Sequence, residues 1–598
     1  MVYYLFNSTG CHKVKLSPLL KRLWVHVAPR RRKQLGLLFA LVVITSFTEV
    51  VAIGAVLPFL AVLSKPETVF SHELAQPLIK VLELTAPQQL VLPITVIFAL
   101  AAVVSGVMRI AMLWGQARLG QAIGADLSYQ VYRRTLFQPY SVHVARNSSE
   151  VIAAVTSKTN QVVAGIVLPV LMMTGSVLLM VAILATLISI SPIIALSGIL
   201  GFGTIYGVIV WVTKKRLLIY SHRISDGGNQ VVKIVQEGLG GIRDILIDGA
   251  QSTYCKSFRT VDVSMRRAQA NSQVISLTPR YGIESLSMVL IAVIAFSLVG
   301  SSGGLIDVLP VLGAFVVGAQ RLLPALQLIY ANLSSMRTAQ IVLVDILSLI
   351  EQPLPNYTGA FAQPPLSFER SIKINDLGFR YASDAPWVLR GLNIEIRKGS
   401  RVGFIGSTGS GKSTLLDIVM GLLHPVTGTL TIDDKPITEE NYRSWQAHIA
   451  HVPQAIFLSD ATIAENIAFG VPVEQIDLER VCQAARQAQI AETIESWKSQ
   501  YETIVGERGM RLSGGQRQRI GIARALYKQA DVIVFDEATS ALDNETEQAV
   551  MDTIDNIAGE TTILIVAHRL TTLKKCDQVV ELENGTIKRF GVYEDIVA

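Results

Sequence analysis

At 598 residues, half of them hydrophobic and with a mean hydropathy of +0.42, the chain is too long for one domain and too apolar for a wholly soluble protein. The net charge of +6 is concentrated, because Met1 to Gln34 holds eight Lys or Arg and no acid; a hydrophobic span follows at once, which favours a membrane flank over nucleic-acid binding. The four cysteines, Cys11, Cys255, Cys482 and Cys576, form no C-x-x-C pair, so neither a disulfide framework nor a zinc site is implied.

The basic segment is partly amphipathic. Leu19, Leu20, Leu23, Trp24 and Val27 recur at helical spacing, which predicts a short helix at the cytoplasmic membrane surface with Trp24 at headgroup level. No cleavable signal is expected, since the first apolar span starts late and no small-residue cleavage site follows it. Six spans come next: Leu35–Ser64, Val91–Gly115, Val162–Ile190, Ser191–Thr213, Tyr281–Gly300 and Gly304–Tyr330. Each is near or above the roughly 20 residues that cross a bilayer. The turns at Ser191-Pro192 and Ser301-Ser-Gly-Gly304 carry no Lys or Arg, whereas the segments between spans two and three and between spans four and five are long and basic. Positive-inside asymmetry puts both termini and both long segments in the cytoplasm. Lys65 to Gln89 is the outer loop, in which Leu74, Leu78, Val81 and Leu82 suit an amphipathic helix. The inner segments read as long helical hairpins.

The composition then changes. Glu351 to Pro365 holds Pro353, Pro355, Pro364 and Pro365 and reads as a linker. Apolar or alternating runs beyond it predict strands at Ile372–Ile374, Leu392–Ile396, Arg401–Ile405, Thr429–Ile432, Ile449–Val452, Val532–Phe535, Thr562–Val566 and Gln578–Glu583. Domain limits follow: a basic segment at 1–34, a membrane domain at 35–350, the linker at 351–365 and an α/β domain at 366–598.

Gly406-Ser-Thr-Gly-Ser-Gly-Lys-Ser-Thr414 fits the phosphate-cradle pattern G-x-x-x-x-G-K-[ST], between an apolar strand and a helix-compatible run. Its backbone from Gly406 through Ser407, Thr408, Gly409, Ser410 and Gly411 can turn N–H groups onto phosphate oxygens. The next helix adds its positive end. Lys412 would reach the outer phosphates of a bound nucleotide, and Ser413 would hold Mg²⁺. Val532-Ile-Val-Phe-Asp536-Glu537 is a buried-strand pattern that delivers Asp536 to the same Mg²⁺ and Glu537 to an attacking water.

With Tyr381, Gln454, Leu512-Ser-Gly-Gly-Gln516, Ser540-Ala-Leu-Asp543 and His568 added in this order, the chain closely resembles the ATP-binding-cassette family. The resemblance implies a multi-domain fold. An all-α, six-span membrane domain of the ABC exporter type is followed by an α/β P-loop nucleotide-binding domain. By that resemblance Tyr381 stacks on adenine and Gln454 contacts Mg²⁺ and water. Ser513, Gly514, Gly515 and Gln516 meet the γ-phosphate of ATP held by the opposite cassette, which requires a second chain. His568 contacts the γ-phosphate, Asp543 bridges the cassettes, and Gly506-Glu-Arg-Gly509 touches the partner's coupling helix. Coupling helices are expected near Gln138–Asn147 and Leu239–Asp248. No motif position departs from the pattern, so a homodimer with two hydrolysing sites in the cytoplasmic membrane is implied.

Cargo is argued from charges inside spans, which are costly there. Glu49, Arg109, Glu284, Asp307 and Arg321 qualify. Arg109 and Arg321 suit a cargo phosphate, with Glu49 in the same candidate site; a structural Arg109–Glu49 pair is the alternative. Thr48 to Leu60, Gly238 to Gly249 and Arg321 to Leu326 resemble the lipid-linked oligosaccharide flippases and their polysaccharide- and glycolipid-exporting relatives. A membrane-lipid, lipid-linked-glycan cargo is the resulting expectation, with a multidrug or phospholipid exporter as the alternative. A regulatory cassette ATPase, a peptide exporter with its own protease and an importer are all disfavoured by the layout.

Overall fold

The computed structural model describes residues 15–64, 66–72, 75–190, 192–301, 323–355, 366–537, 544–557, 561–567 and 570–597. These divide into two compact units, one of residues 1–138 and 146–354 and the other of 139–145 and 355–598.

The first unit is helical. Helix α1 spans Leu16–His26 and buries Leu19 and Leu23, with Trp24 left at the surface. The Arg32 guanidinium lies 5.6 Å from the Trp24 ring centroid and donates to the carbonyls of Trp24, Val25 and Val27 at the end of that helix, where the Trp24 carbonyl also accepts from the Val27 N–H at 3.3 Å. The first span is not one helix. It divides into α2 (Pro29–Gly54) and α3 (Val56–Ser64), because Pro58 lacks an N–H and its ring crowds the carbonyl four residues back, at Gly54.

Helix α4 covers Val91–Leu136. At 1.5 Å per residue it is about 70 Å long, more than twice the ~30 Å hydrocarbon core, so its basic end leaves the membrane. The helical run α5 (Ser148–Ala185) contains two π-helical stretches, Ala154–Lys158 and Val163–Val167. Helices α6 (Pro192–Gly240) and α7 (Gln251–Ser301) are the longest of those described and flank a short helix at Ile242–Ile247. Helix α8 (Leu323–Thr338) bends by 54° into α9 (Gln340–Ile350). By length and apolar composition, three described helices and this bent pair can cross a membrane. Most of the sixth expected span, Gly304–Tyr330, lies outside the described residues.

The outer loop holds short helices at Pro66–Phe70 and Gln76–Val81. Their buried residue is Ile79, packed near Val62, Leu90 and Ile94 with Leu78 beside it; Val81 and Leu82 are exposed. Of the expected apolar face, Leu74 lies outside the described residues and Leu78 packs against this cluster, whereas Val81 and Leu82 do not join it, since a six-residue helix makes too few turns to bury a longer stripe.

The second unit contains a six-stranded sheet in the order β10-β9-β3-β8-β7-β6 and a four-stranded sheet in the order β2-β1-β4-β5. The strands are β1 Ser371–Phe379, β2 Leu389–Arg397, β3 Arg401–Ile405, β4 Thr427–Ile432, β5 Lys435–Pro436, β6 Ile449–Val452, β7 Val532–Asp536, β8 Thr562–Val566, β9 Gln578–Glu583 and β10 Thr586–Gly591. Strands β9, β3, β8, β7 and β6 pair in parallel, and β10 closes one edge antiparallel. β3, β7 and β8 are buried along nearly their whole length, as their continuous Val and Ile content requires of a sheet covered on both faces. All five parallel strands end at one edge of the sheet, and the segments that leave β3, β6 and β7 there are the phosphate loop, Gln454 and Glu537.

Candidate nucleotide site

The loop from Gly406 to Gly411 joins β3 to helix α10 (Lys412–Val419). Gly406 has φ +146°, and a Cβ there would lie 2.2 Å from the Leu582 carbonyl oxygen, so no other residue fits. The Lys412 ammonium donates to the carbonyls of Gly406 (2.7 Å) and Ser407 (3.0 Å), which folds the side chain back over the loop. Two of its three protons are used there, which leaves one for an anion in the cradle. Burial pushes the Lys412 amine down, while Glu537 and Asp536 oppose the shift, so both acids act on this ammonium. The Ser410 hydroxyl is buried in the loop without a hydrogen-bond partner. An orphaned donor beside a helix N-terminus fits a bound phosphate.

Tyr381 stands at the rim, 54 % exposed, and its hydroxyl lies 3.1 Å from the Thr414 hydroxyl. Phe379 meets the ring edge-on at a centroid distance of 5.0 Å, which fixes its orientation and leaves a face for an aromatic base.

At the end of β7 the Glu537 N–H pairs with the Val566 carbonyl at 3.0 Å, and the backbone then turns left-handed, with φ +53°. A non-glycine residue in that region is held there by its surroundings. The Gln454 amide nitrogen donates to the Glu537 carboxylate at 2.6 Å. This bond brings together two predicted residues 83 positions apart. It also commits the nitrogen of the amide and leaves its oxygen as an acceptor. That oxygen, the exposed Ser413 hydroxyl and the Asp536 carboxylate form a set of hard oxygen donors that fits Mg²⁺.

Helix α11 (Gly514–Lys528) begins with a reciprocal cap: Gln516 N–H donates to Ser513 Oγ at 3.2 Å, and Ser513 N–H donates to Gln516 Oε1 at 2.8 Å. The serine and glutamine of the motif therefore satisfy each other, and the N–H groups of Gly514 and Gly515 remain at the helix end for an anion. His568, Asp543 and Arg321 lie outside the described residues.

Asp417 was not among the residues singled out by sequence. It sits on α10, half-buried, and burial with the Asp536 charge pushes its carboxyl up to about 6. No motif marks it, because its effect comes from the β7 acid that only the fold brings near. In the membrane unit Arg109 on α4 and Glu49 on α2 form an ion pair, with the Glu49 side chain 2 % exposed. Glu284 on α7 is exposed, and Asp307 is outside the described residues.

A strand-edge phosphate loop, an acidic strand and a capped second anion site on one α/β unit, joined to a helical membrane unit, define an ATP-powered transporter. Residues 389–540 match the family described as ABC transporter, and residues 35–319 match the ABC transporter transmembrane region. The chain belongs to the ABC transporter family, as an exporter with fused membrane and ATP-binding domains. It is 32 % identical over 400 residues to the ATP-dependent lipid A-core flippase of Chromohalobacter salexigens, covering 66 % of this chain and 67 % of the relative. Similarity to the protein of the same name from Shewanella frigidimarina is 30 % over 480 residues, covering 79 % and 78 %. The structure of a bacterial Atm1-family ABC exporter with ATP bound shares the fold, with a TM-score of 0.77 and 24 % identity over 95 % of this chain and 96 % of that one.

Proposed function

We propose that this chain is the protomer of a homodimeric, ATP-driven flippase or exporter of a phosphate- and sugar-bearing lipid in the cytoplasmic membrane. Both termini and the nucleotide unit face the cytoplasm. The observation that carries the homodimer is that one cassette contains both halves of a composite site: a complete phosphate loop and a separate capped helix end with two N–H groups to offer. One ATP would lie between the loop of one protomer and the α11 end of its partner. Because neither half is degenerate, both sites would turn over.

Within each site Lys412 and the loop N–H groups hold the phosphates, and Tyr381 takes the adenine. Ser413, Gln454 and Asp536 would hold Mg²⁺, which supplies charge neutralisation on the phosphates. Glu537 orients and deprotonates the attacking water, with His568 on the γ-phosphate and Asp543 across the cassette interface. Gln454 donates to one Glu537 carboxylate oxygen, Oε2, at 2.6 Å and so holds the acid in position toward the water. Hydrolysis then opens the dimer, which biases the membrane units between inward and outward states. Segment 139–145, grouped with the nucleotide unit, supports the coupling-helix reading of Gln138–Asn147. The helix at Ile242–Ile247 falls in the second stretch proposed for that role.

The cargo class rests on the lipid A-core flippase relatives together with the three flippase-like stretches. Arg321 is the phosphate contact in this reading, since Arg109 is engaged with Glu49. The test is the ATPase rate in nanodiscs with plain phospholipid, a polyprenyl-pyrophosphate glycan, a glycolipid or a hydrophobic drug. Stimulation by the glycan lipids alone, lost in Arg321→Ala, is expected. Stimulation by drug or plain phospholipid instead would place the chain with multidrug or phospholipid exporters.

A further inference from the structure

The bend between α8 and α9 is held by polar groups from two other helices. Ala339 at the bend has φ −87° and ψ 1°, which interrupts the helical hydrogen-bond ladder. The N–H of Ile341, in the first turn of α9, donates instead to the Ser221 hydroxyl of α6 at 3.2 Å, and Ser221 is fully buried. One turn further along the same face of α6, Ser225 donates to the Asp345 carboxylate at 2.7 Å. Lys158 of α5 reaches the same Asp345 oxygen at 2.5 Å.

Lys158 is only 5 % exposed, an unusual state for a lysine unless it is paired. It is the last residue of the first π-helical stretch of α5. The extra residue in such a turn rotates the following side chains relative to an α-helix, and Thr159 seals the turn through its hydroxyl on the Ala154 carbonyl at 2.8 Å. Leu217 of α6 and Leu343, Ile346 and Leu347 of α9 are fully buried along the same helices, whereas the Asp345 side chain stays 33 % exposed, so the buried end of the ion pair is Lys158. Separating the pair would leave the buried Lys158 ammonium without its counter-charge, so the three helices are joined at a point where relative sliding is penalised. Helix α9 then runs straight into the segment that leads to the nucleotide unit.

We propose that Asp345, clamped by Lys158 and Ser225, is a positioning residue that makes the cytoplasmic ends of α5, α6 and α9 one rigid body, and that coupling of ATP turnover to transport depends on it. Asp345 touches neither nucleotide nor cargo. Its effect is mechanical: with the brace intact, a displacement of any one helix end moves the other two. Without it the bend at Ala339 absorbs the displacement, and ATP is turned over with less transport. The inference rests on the reading of this chain as an ATP-driven lipid transporter, so its test includes a readout that needs no cargo.

The experiment uses the full chain in nanodiscs, with spin labels at the exposed positions Ile152 and Lys233. Unaltered protein should give a narrow distance distribution that is the same without nucleotide and after trapping with ATP and vanadate. Asp345→Asn should at least double its width and lower transport of a tagged polyprenyl-pyrophosphate glycan per ATP by fivefold or more, with basal ATPase within twofold. Exchange of the pair, Lys158→Asp with Asp345→Lys, should recover at least half of the coupling. Ser225→Ala, which keeps the ion pair, should shift both readouts in the same direction by less, and serves if Asp345→Asn does not fold. Unaltered width and unaltered transport per ATP in these variants would overturn the proposal. So would a loss of transport in strict proportion to ATPase. If the distances behave as expected but no protein moves the glycan, the cargo assignment fails and the brace stands.

Discussion

Removal of Arg109 separates the two roles open to it. Glu49 is buried in the membrane unit, its side chain 2 % exposed, and its ion-pair partner is Arg109, whose side chain is 38 % exposed. Breaking a buried pair from one side typically costs about 3–5 kcal/mol, because the remaining charge keeps its desolvation penalty without its counter-charge. The arginine end is partly exposed, so about 2–4 kcal/mol is expected here. Arg109→Met should lower the thermal midpoint clearly, and Glu49→Leu alone should cost less, because it leaves unpaired the partly exposed Arg109 and not the buried carboxylate. The double variant, Arg109→Met with Glu49→Leu, should return to within about 1.5 kcal/mol of the starting protein, as replacement of both partners by apolar groups is often neutral. The assay is thermal unfolding of all four proteins in one nanodisc lipid, completed as a double-mutant cycle, with lipid-stimulated ATPase in parallel. A coupling energy of about 2 kcal/mol or more identifies a structural pair. An Arg109→Met protein as stable as the original, with lipid stimulation alone abolished, would refute this reasoning and return Arg109 to the cargo.

Three further outcomes follow from the nucleotide unit. Glu537→Gln should bind ATP and accumulate as the closed dimer with turnover lowered by about 10²–10⁴, the range for loss of a general base; near-normal turnover would remove Glu537 from that role. Ser513→Ala deletes one half of the cap on α11 and should cost about 1 kcal/mol at that helix end, read as roughly fivefold weaker ATP-driven cassette association with nucleotide binding to the loop unchanged. Asp417→Asn tests the buried carboxyl. With its folded value raised to about 6, Asp417 contributes stability that is fully present below its ordinary value near 4 and is lost as pH rises through 6. The variant, compared without nucleotide and in chelator, should match the original protein near pH 4 and exceed it by about 1–2 kcal/mol at pH 7.5, after allowance for the group's part exposure. An equal difference at both pH values would contradict the assignment.

Much of the nucleotide unit was legible because its signals are local. Arg401–Ile405, Ile449–Val452, Thr562–Val566 and Gln578–Glu583 have the same limits as the observed strands, since short Val- and Ile-rich runs closed by polar residues have few other ways to be buried. β10, Thr586–Gly591, was not foreseen. Its sequence, Thr-Ile-Lys-Arg-Phe-Gly, sets only Ile587 and Phe590 among polar residues at an exposed sheet edge, where no apolar run is required. In the membrane unit the break at Gly54 was missed although Pro58 announces it, because hydropathy averages over the turn that a proline interrupts.

What the sequence determined by itself was the chemistry. A phosphate loop, an acidic strand and a glycine-rich helix start each depend on residue type at fixed short spacing, and backbone geometry does the rest. What only the tertiary structure decided was which distant groups meet. The contact of Gln454 with Glu537, the pairing of Arg109 with Glu49, the Asp536 charge on Asp417 and the convergence of Lys158 and Ser225 on Asp345 all span dozens to nearly two hundred residues. Such meetings are set by strand order, helix register and a bend. A side chain's charge can be read along the chain, but its partner and its dielectric surroundings exist only once the chain has folded.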